Sequence, residues 1–445
     1  MTEANIVTGG PTTEQPKRSV RSLIRSGQVM LLSLEVDTRL LGMVAALAVI
    51  WIGFNVASGG EFMTPQNLWN LSVQSSAIAI MATGMVLIIV SRNIDLSVGS
   101  LLGFTGYTMA MVQAVWIPTT LKLGFDQPYT WIVALGVGIL IGAALGGFQG
   151  FLIAYAGVPS FVVTLGGLLI WRGLIFEIQQ GQTISPTDGA FNTIGGGLPT
   201  GAIGGPQSWI VGVIACVFVV YMLIASQRKR RSFGFPVRPT WALVSIAAAT
   251  CVGILGAVWI ATSYTWPVAL AHKYAVANHI AEPSGGLQIP VGVAVPVLIL
   301  VGVALAMTFI TKRRKFGRYV FAIGGNPEAA KLGGINTRWT IMLTFVLMGV
   351  LCAIAGGVQT ARLGAGVTSL GTGDELAVIA AAVVGGTSFS GGVGTIPGAV
   401  LGAVVMQSLR SGMLLLGYDS PPQDIAVGGV LIAAIGVENF LHRTR

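Results

Sequence analysis

The chain has 445 residues, of which 53% are hydrophobic and only 9% are charged, with a net charge of +9 and a mean hydropathy of +0.79. Soluble domains carry about 25% charged residues, so this composition excludes a water-soluble fold and indicates an integral membrane protein. Many apolar runs long enough to cross a bilayer as helices favour an all-α, polytopic protein over a β-barrel.

The apolar runs predict about twelve transmembrane helices, and arrangements of ten to twelve are compatible with the sequence. The tenth run is short and rich in glycine, so a re-entrant or broken helix is an alternative there. The predicted spans are 39–57, 73–91, 97–117, 131–156, 160–177, 208–226, 241–262, 289–311, 339–361, 375–390, 396–416 and 424–441.

The basic residues predict how these spans are oriented. Most of the 25 lysines and arginines fall in the two tails or in every second loop, whereas Lys122, Lys273 and Arg362 fall in the remaining loops. Because cytoplasmic loops are enriched in Lys and Arg, both termini are expected to be cytoplasmic, and the positive charge needs no nucleic acid to explain it. The predicted parts are a basic N-terminal tail at 1–38, a transmembrane domain at 39–441 with a polar loop at 312–338, and a C-terminal tail at 442–445.

The loop after the second span holds the first polar motif, from Arg92 to Ser100. Within it, Asp95 or Ser97 is suited to cap the helix that follows. An acidic residue beside a membrane is also a candidate functional group, so a polar break at the edge of a translocation path has equal weight.

The fifth span opens at Pro159 and Ser160, which make a sound helix start. Thr164 lines a pore or bonds back to its own helix, and the second interpretation is favoured. Arg172 and Arg410 fall within spans, and the favoured interpretation is that each extends its charged group toward a membrane interface.

No motif for catalysis or ATP binding is found. The nearest match to a phosphate-binding loop, Gly386 to Gly391, lacks the Lys and Ser/Thr that reach the phosphates and magnesium, so a glycine-rich break in a membrane helix explains it better. The three cysteines lie in apolar runs and the three histidines are scattered, so no metal site is predicted. If the protein is driven by ATP, the ATPase is expected to be another chain.

The best defined polar segment is the loop from Gly317 to Gly334, between the eighth and ninth spans. Its second half predicts a two-turn helix with its own caps. Asn326-Pro327-Glu328 supplies an N-cap, a proline suited to the first helical position and a carboxylate for the positive end of the helix dipole. Gly333-Gly334 is suited to the left-handed conformation that ends a helix. So defined a helix between two spans is expected to contact a partner.

Four stretches carry a resemblance to a known family, in the order in which that family has them. The chain resembles the membrane permease subunits of bacterial ATP-binding-cassette sugar importers, in the ribose, xylose, arabinose and galactose branch, and within it the xylose permeases. The enlarged middle of the chain, with two extra spans near 208–262, is similar to that subgroup. The four stretches are Ile94 to Ser100, Val158 to Leu165, Gly317 to Asn336, and Glu375 to Gly394.

This resemblance implies a transport subunit in the bacterial inner membrane that is not itself an enzyme. It implies a pore made of two permease copies, cytoplasmic ATP-binding subunits, and a periplasmic sugar-binding protein that delivers a monosaccharide. ATP would be bound by the partner, with no cofactor in this chain, and membrane lipid would surround the spans. Which sugar is carried stays open, because in this class the binding protein usually selects the substrate.

The resemblance also implies that the helix from Asn326 to Gly333 is a coupling helix that sits in a groove of the ATPase. The predicted coupling residues are Gly325, Asn326, Pro327, Glu328, Ala329, Ala330, Lys331, Gly333 and Gly334. The residues predicted to line the translocation path are Asp95, Ser97, Ser160, Phe161, Thr164, Thr387 and Ser388.

Two other classes of protein stay open on the residues alone. A secondary transporter driven by protons or sodium also suits twelve spans, and it would need a membrane-embedded acidic site, for which Asp95 and Glu177 are the candidates. In a receptor or scaffold, the polar helix would instead contact a signalling partner.

Overall fold

The structure is a computed structural model that describes the backbone of residues 38–443 and the side chains of residues 40–436. Nearly all of the predicted tail at 1–38, and residues 444–445, lie outside this range. The helices of the described part are α1 (Thr38–Ala57), α2 (Pro65–Val90), α3 (Val98–Met111), α4 (Thr130–Ala154), α5 (Ser160–Gln179), α6 (Gly189–Asn192), α7 (Gly205–Ser232), α8 (Thr240–Ser263), α9 (Val268–Ala277), α10 (Val295–Arg313), α11 (Lys315–Gly325), α12 (Pro327–Leu332), α13 (Thr337–Leu363), α14 (Asp374–Val384), α15 (Ile396–Leu415) and α16 (Ser420–Arg443).

Ten helices of the described part are long and apolar enough to cross a membrane, which confirms an all-α, polytopic architecture. They are α1 to α5, α7, α8, α10, α13 and α15, with α3 extended by a π-helical stretch at Val112–Thr120. The two other predicted spans also form helices. One is the 11-residue α14, and the other is α16, whose side chains are described as far as Gly436.

The tenth predicted span crosses the bundle as a short helix followed by an extended loop. The first residue of this helix, Asp374, is paired with Arg410 near the end of α15. The loop at residues 385–395 lies at the other end of the bundle, where the Gly392 amide donates to the Val90 carbonyl at 3.1 Å. The prediction of a helix as far as residue 390 is therefore wrong, and the alternative of a broken helix at this span is the one that the structure shows. Helix α14 ends at Val384, and Gly386 follows with a left-handed φ of 87°.

These contacts define two ends of the bundle. The α12 end carries α11, α12, the loop at 385–395 and the loop between α2 and α3, while the far end carries the start of α14 and the end of α15. Helix α2 runs between them through the core, where its residues from Ala77 to Val90 are almost fully buried. It packs against α10, α13, α14 and α15, which explains why its sequence is apolar all round. It begins at Pro65, eight residues before the predicted start, after an N-cap at Thr64.

The chain separates into two compact units. One includes Cys216–Val252. In it, Gln227 Nε2 donates to the Arg238 carbonyl at 2.6 Å, and the Arg238 amide donates to Gln227 Oε1 at 3.4 Å. The other consists of Thr38–Ala215 with Gly253–Arg445 and contains the elements discussed below.

The most extensive helix contact of the larger unit joins α4 to α13. Glycines face each other across it, so the two backbones approach closely, as is typical of helix packing in membranes. A Cβ atom on Gly349 would lie 1.9 Å from the Gly142 carbonyl oxygen, and one on Gly142 would lie 2.3 Å from the Gly349 carbonyl oxygen. No side chain fits either position unless the two helices move apart.

We expect Gly349→Ala to lower the thermal midpoint of the solubilised protein, because the added methyl group overpacks this contact at a cost of about 1–3 kcal/mol. The matched control is Gly302→Ala in α10, where an added Cβ meets nothing within 4 Å. The control should keep or slightly raise the midpoint, since alanine favours a helix over glycine. Equal midpoints for both variants would contradict the close approach of α4 and α13.

Candidate functional site

Helix α12 forms as its sequence predicts. The Asn326 side chain caps it by accepting a hydrogen bond from the Ala329 amide at 3.0 Å, and Pro327 occupies the first helical position. At the other end, Gly334 takes the left-handed conformation with φ of 80°, whereas Gly333 has φ of −74°. The prediction that two glycines end this helix in that conformation is thus right for Gly334 and wrong for Gly333.

Helix α12 projects from the bundle on a second helix that the sequence analysis missed. Helix α11 occupies the first half of the polar loop and is amphipathic, with Gly317, Val320, Ile323 and Gly324 buried against the bundle. Lys315, Arg318 and Tyr319 are exposed on its other side. The spacing of the apolar residues at three and four positions was the signal that could have identified it.

The base of α12 is bonded to the loop after α2. The guanidinium of Arg92 donates from Nε to the Gly324 carbonyl at 2.8 Å and from Nη2 to the Gly325 carbonyl at 3.0 Å. Arg92 itself has a left-handed backbone, with φ of 63°, which is unusual for a residue with a side chain. We name this contact, together with Gly391 and Gly392, the Arg92 junction.

The third component of the Arg92 junction is the loop after α14. A Cβ on Gly324 would lie 1.8 Å from the Val90 carbonyl oxygen and 2.6 Å from the Gly392 nitrogen, so three backbone segments meet here without intervening side chains. The base of α12 is therefore in direct contact with the end of α2 and with the loop at 385–395.

Thr387 and Ser388, which were predicted to line the path, lie buried in this same loop. The Ser388 amide donates to the Val393 carbonyl at 3.0 Å, and the Ser388 and Ser390 hydroxyls are 2.8 Å apart. The Thr387 hydroxyl has no hydrogen-bond partner within the described part of the chain. These contacts stabilise a turn, as the interpretation of a glycine-rich break predicts.

A second group of predicted path residues clusters around Asp95, which is 1% exposed. The Asp95 carboxylate accepts from the Ser97 amide at 2.9 Å and from the Ser97 hydroxyl at 2.6 Å, and that hydroxyl also lies 3.0 Å from the Gln149 side-chain oxygen. Ser160 accepts from the Ile94 amide at 3.3 Å. The Thr164 hydroxyl bonds back to the Ser160 carbonyl of its own helix at 2.9 Å, as predicted, and lies 3.3 Å from the Ile94 carbonyl. The start of α5 thus holds the loop before α3.

Two details of this cluster differ from the sequence predictions. Ser97 is the residue before α3, but its side chain makes no capping hydrogen bond, since its hydroxyl points to Asp95 and Gln149. Phe161 is 53% exposed on the surface of α5 and lies outside the polar cluster. Whether the buried members line a path stays a prediction.

Burial raises the pKa of the Asp95 carboxyl to about 6, and the hydrogen bonds from Ser97 offset only part of that effect. The folded protein therefore holds this proton more tightly than an unfolded chain, in which an aspartate has a pKa of about 3.9.

The far end of the bundle holds a polar cavity of about 320 Å³. Asp374 accepts from Arg410 Nη1 at 3.0 Å on one oxygen and from Gln359 Nε2 at 3.0 Å on the other. Gln407 Nε2 donates to Gln74 Oε1 at 2.8 Å nearby. Arg410 is thus paired inside the protein, so the interpretation that it extends toward an interface is wrong.

Arg172 also has partners within the protein. Its Nη1 donates to the Leu370 carbonyl at 2.8 Å and to the Thr368 carbonyl at 3.3 Å, which holds the segment that leads into α14. Charged and amide side chains inside apolar spans were the sequence signal for this region, because such groups are retained in membranes mainly for function.

The comparison with known families agrees with this arrangement. Residues 67–435 match the family described as "branched-chain amino acid transport system / permease component". The chain belongs to this permease family. It is a multi-pass protein of the inner membrane, and its resemblance to the permease subunits of ATP-binding-cassette sugar importers is confirmed.

Several curated proteins resemble the chain over most of their length. It is 36% identical to the xylose transport system permease protein XylH of Escherichia coli (strain K12) over 401 residues, 90% of this chain and 92% of that protein. It is also 36% identical to XylH of Haemophilus influenzae, over 89% of this chain and 95% of that protein. The ribose import permease protein RbsC of Escherichia coli (strain K12) is 29% identical over 85% of this chain and 87% of that protein. No solved structure matches.

We expect Arg92→Gly to speed hydrogen exchange of the amides in α11 and α12 about tenfold or more, because hydrogen bonds to a charged group contribute about 1.5–3 kcal/mol. Glycine suits the left-handed backbone at this position, so the substitution removes the side chain without adding strain. Arg92→Lys keeps the charge but cannot bond both carbonyls in the same geometry, so it should give an intermediate rate of hydrogen exchange. Exchange at the wild-type rate in Arg92→Gly would show that the Arg92 junction does not hold α12.

We expect wild-type stability to fall as the pH rises from about 4 through about 6, because the raised pKa of Asp95 favours the protonated folded state. Asp95→Asn keeps the oxygen that accepts from Ser97 and removes the charge. It should abolish this pH dependence and raise stability at pH 7.5 by about 3 kcal/mol or less. Thermal unfolding between pH 4.5 and 7.5 measures both effects, with the exposed Asp419→Asn as the control. If the stability of the wild-type protein does not change over this pH range, the raised pKa of Asp95 is wrong.

Proposed function

We propose that this permease component imports a monosaccharide, xylose or a related sugar, and that a separate ATPase drives it. The observation that carries the proposal is α12, an exposed and capped helix whose base is bonded by Arg92 to the loop after α2 and packs against the loop after α14. The names of the xylose and ribose permeases that the chain resembles support a monosaccharide as the cargo.

In this proposal the α12 end faces the cytoplasm, and so do both termini. The run Lys312-Arg313-Arg314-Lys315, together with Arg92, Lys331 and Arg338, concentrates positive charge at this end, as the positive-inside rule requires. The proposed division has tails at 1–38 and 442–445, and between them a transmembrane domain at 39–441 with a coupling loop at 312–338.

The surface of α12 fits a docking helix. Ala330 is buried against the bundle, whereas Glu328, Ala329 and Lys331 are exposed. Leu332, which sequence reasoning did not select, is 90% exposed, and burying a leucine contributes about 1.5–3 kcal/mol. We infer that the ATPase covers this side chain, with Glu328 beside it at the positive end of the helix dipole.

A push on α12 would move its base at Gly325 and, through the Arg92 junction, the loop at 385–395. In the proposed cycle two permease copies form the pore, two ATP-binding subunits bind and hydrolyse ATP, and a periplasmic sugar-binding protein delivers the sugar to the far end. The chain itself contributes no catalytic group and no cofactor. Asp95, Ser97, Ser160 and Thr164 then belong to the region that the junction moves.

The decisive test is uptake by the complex of this chain with its ATPase and binding protein in liposomes. We expect labelled xylose to accumulate only when ATP reaches the ATPase side, and an added uncoupler to leave uptake unchanged. Uptake that persists without ATP and collapses with the uncoupler would instead establish a proton-driven transporter. If no monosaccharide accumulates under either condition, the proposed function is wrong.

We expect Glu328→Arg and Leu332→Ala each to weaken the permease–ATPase complex about tenfold or more, because one reverses a charge at the contact and the other removes its apolar anchor. ATP-driven uptake should fall with complex formation. The matched controls are Glu61→Arg and Leu123→Ala, which alter an exposed glutamate and an exposed leucine in other loops. If both α12 variants keep complex and uptake at the control level, α12 is not the coupling helix.

A further inference from the structure

The cavity at the far end extends from the helix ends into the bundle. It is lined by α2, α13, α14, α15, the loop between α13 and α14 and the start of α16, and its volume is about 320 Å³. Gln74 lies nine residues after the start of α2, and Gln407 lies eight residues before the end of α15, which places both about 12–14 Å from those helix ends. Ligand pockets begin at about 300 Å³, so a single small molecule fits.

The charges around the cavity balance. Asp374 and Arg410 are paired at 3.0 Å, with side chains only 11% and 15% exposed. Arg362 at the rim adds an exposed positive charge, and Asp424, which lies beside the cavity with its carboxylate 4.0 Å from Arg410, adds a negative one. A site with balanced charge suits a neutral ligand better than an ion, because an ion would need a surplus of the opposite charge.

The amide side chains supply both donors and acceptors for such a ligand. Gln407 Nε2 is bonded to Gln74 Oε1, and Gln359 Nε2 is bonded to Asp374. Within the described part of the chain, Gln74 Nε2, Gln359 Oε1 and Gln407 Oε1 make no hydrogen bond to the protein. Sugar hydroxyls both donate and accept hydrogen bonds, so they match this mixed set.

The position of the cavity connects it to α12. Asp374 is the first residue of α14, and the loop that follows the 11 residues of this helix reaches the Arg92 junction. A ligand in the cavity would contact the first end of α14. Movement of α12 would reach the second end of α14 through the loop at 385–395.

We propose that this cavity binds a monosaccharide on its way through the permease, with Gln74, Gln359, Asp374, Gln407 and Arg410 as the hydrogen-bonding residues. The inference rests on the proposed function, since only a sugar importer needs such a site. Binding is expected to be weak, because a site on a transport path must release what it binds.

The test is protection of an engineered thiol in the assembled complex. Gln423→Cys places a thiol on the half-buried lining of the cavity, and peptide-level mass spectrometry separates its maleimide labelling from that of Cys216, Cys251 and Cys352. We expect xylose to slow this labelling and sucrose, which is a disaccharide, to leave it unchanged. Adding Gln74→Ala should raise the protecting xylose concentration about tenfold, because one or two hydrogen bonds are lost. The exposed Gln207→Ala should not change it.

Labelling that xylose fails to slow up to its solubility limit would overturn the inference, and so would a thiol that does not react without sugar. Equal protecting concentrations in Gln74→Ala and Gln207→Ala would also overturn it. Uptake by the same complex separates this failure from that of the proposed function. If the complex takes up xylose but xylose does not protect the thiol, only the proposed cavity site is wrong. If xylose protects the thiol but no sugar is taken up, the proposed import function is wrong.

Discussion

The structure depends on one constraint, which is that no backbone group can be left unpaired inside a bilayer. Helix α14 ends at Val384 within the bundle, so the loop at 385–395 must find its partners in the protein. It does so internally, through the Ser388 amide and the Val393 carbonyl, and externally, through the Gly392 amide and the Val90 carbonyl. The loop is partly buried by these contacts and packs directly on the end of α2 and the base of α12.

This arrangement places the proposed sugar site at one end of α14, and the loop that reaches the Arg92 junction at the other. A helix of 11 residues is about 16 Å long, so α14 reaches from the cavity at Asp374 most of the way to the Arg92 junction. The first end is polar and balanced in charge, while the second is made of backbone groups and one guanidinium. In the proposed cycle, a force on α12 would reach the cavity through the loop at 385–395 and α14.

Local sequence signals predicted the parts that short-range physics controls. Apolar runs of sufficient length predicted the spans, and Asn326 with Pro327 predicted α12, because an N-cap acts within three residues of itself. Boundaries were less predictable. Helix α2 begins at Pro65 after the N-cap Thr64, but its first two turns are more polar than the rest, so hydropathy placed the start too late. Helix α11 was missed because it is too short and too polar to stand out by hydropathy, although its apolar residues recur at three and four positions.

The sequence by itself determined that the chain spans a membrane as a bundle of helices, that it resembles a family of permeases, and that it carries a capped helix in a polar loop. Only the tertiary structure decided what Arg92 and Arg410 do, since their partners are 232 and 36 positions away along the chain. Contacts between residues so far apart depend on how the helices pack. Hydropathy and capping signals describe a residue's near neighbours, so neither the cavity nor the Arg92 junction follows from them.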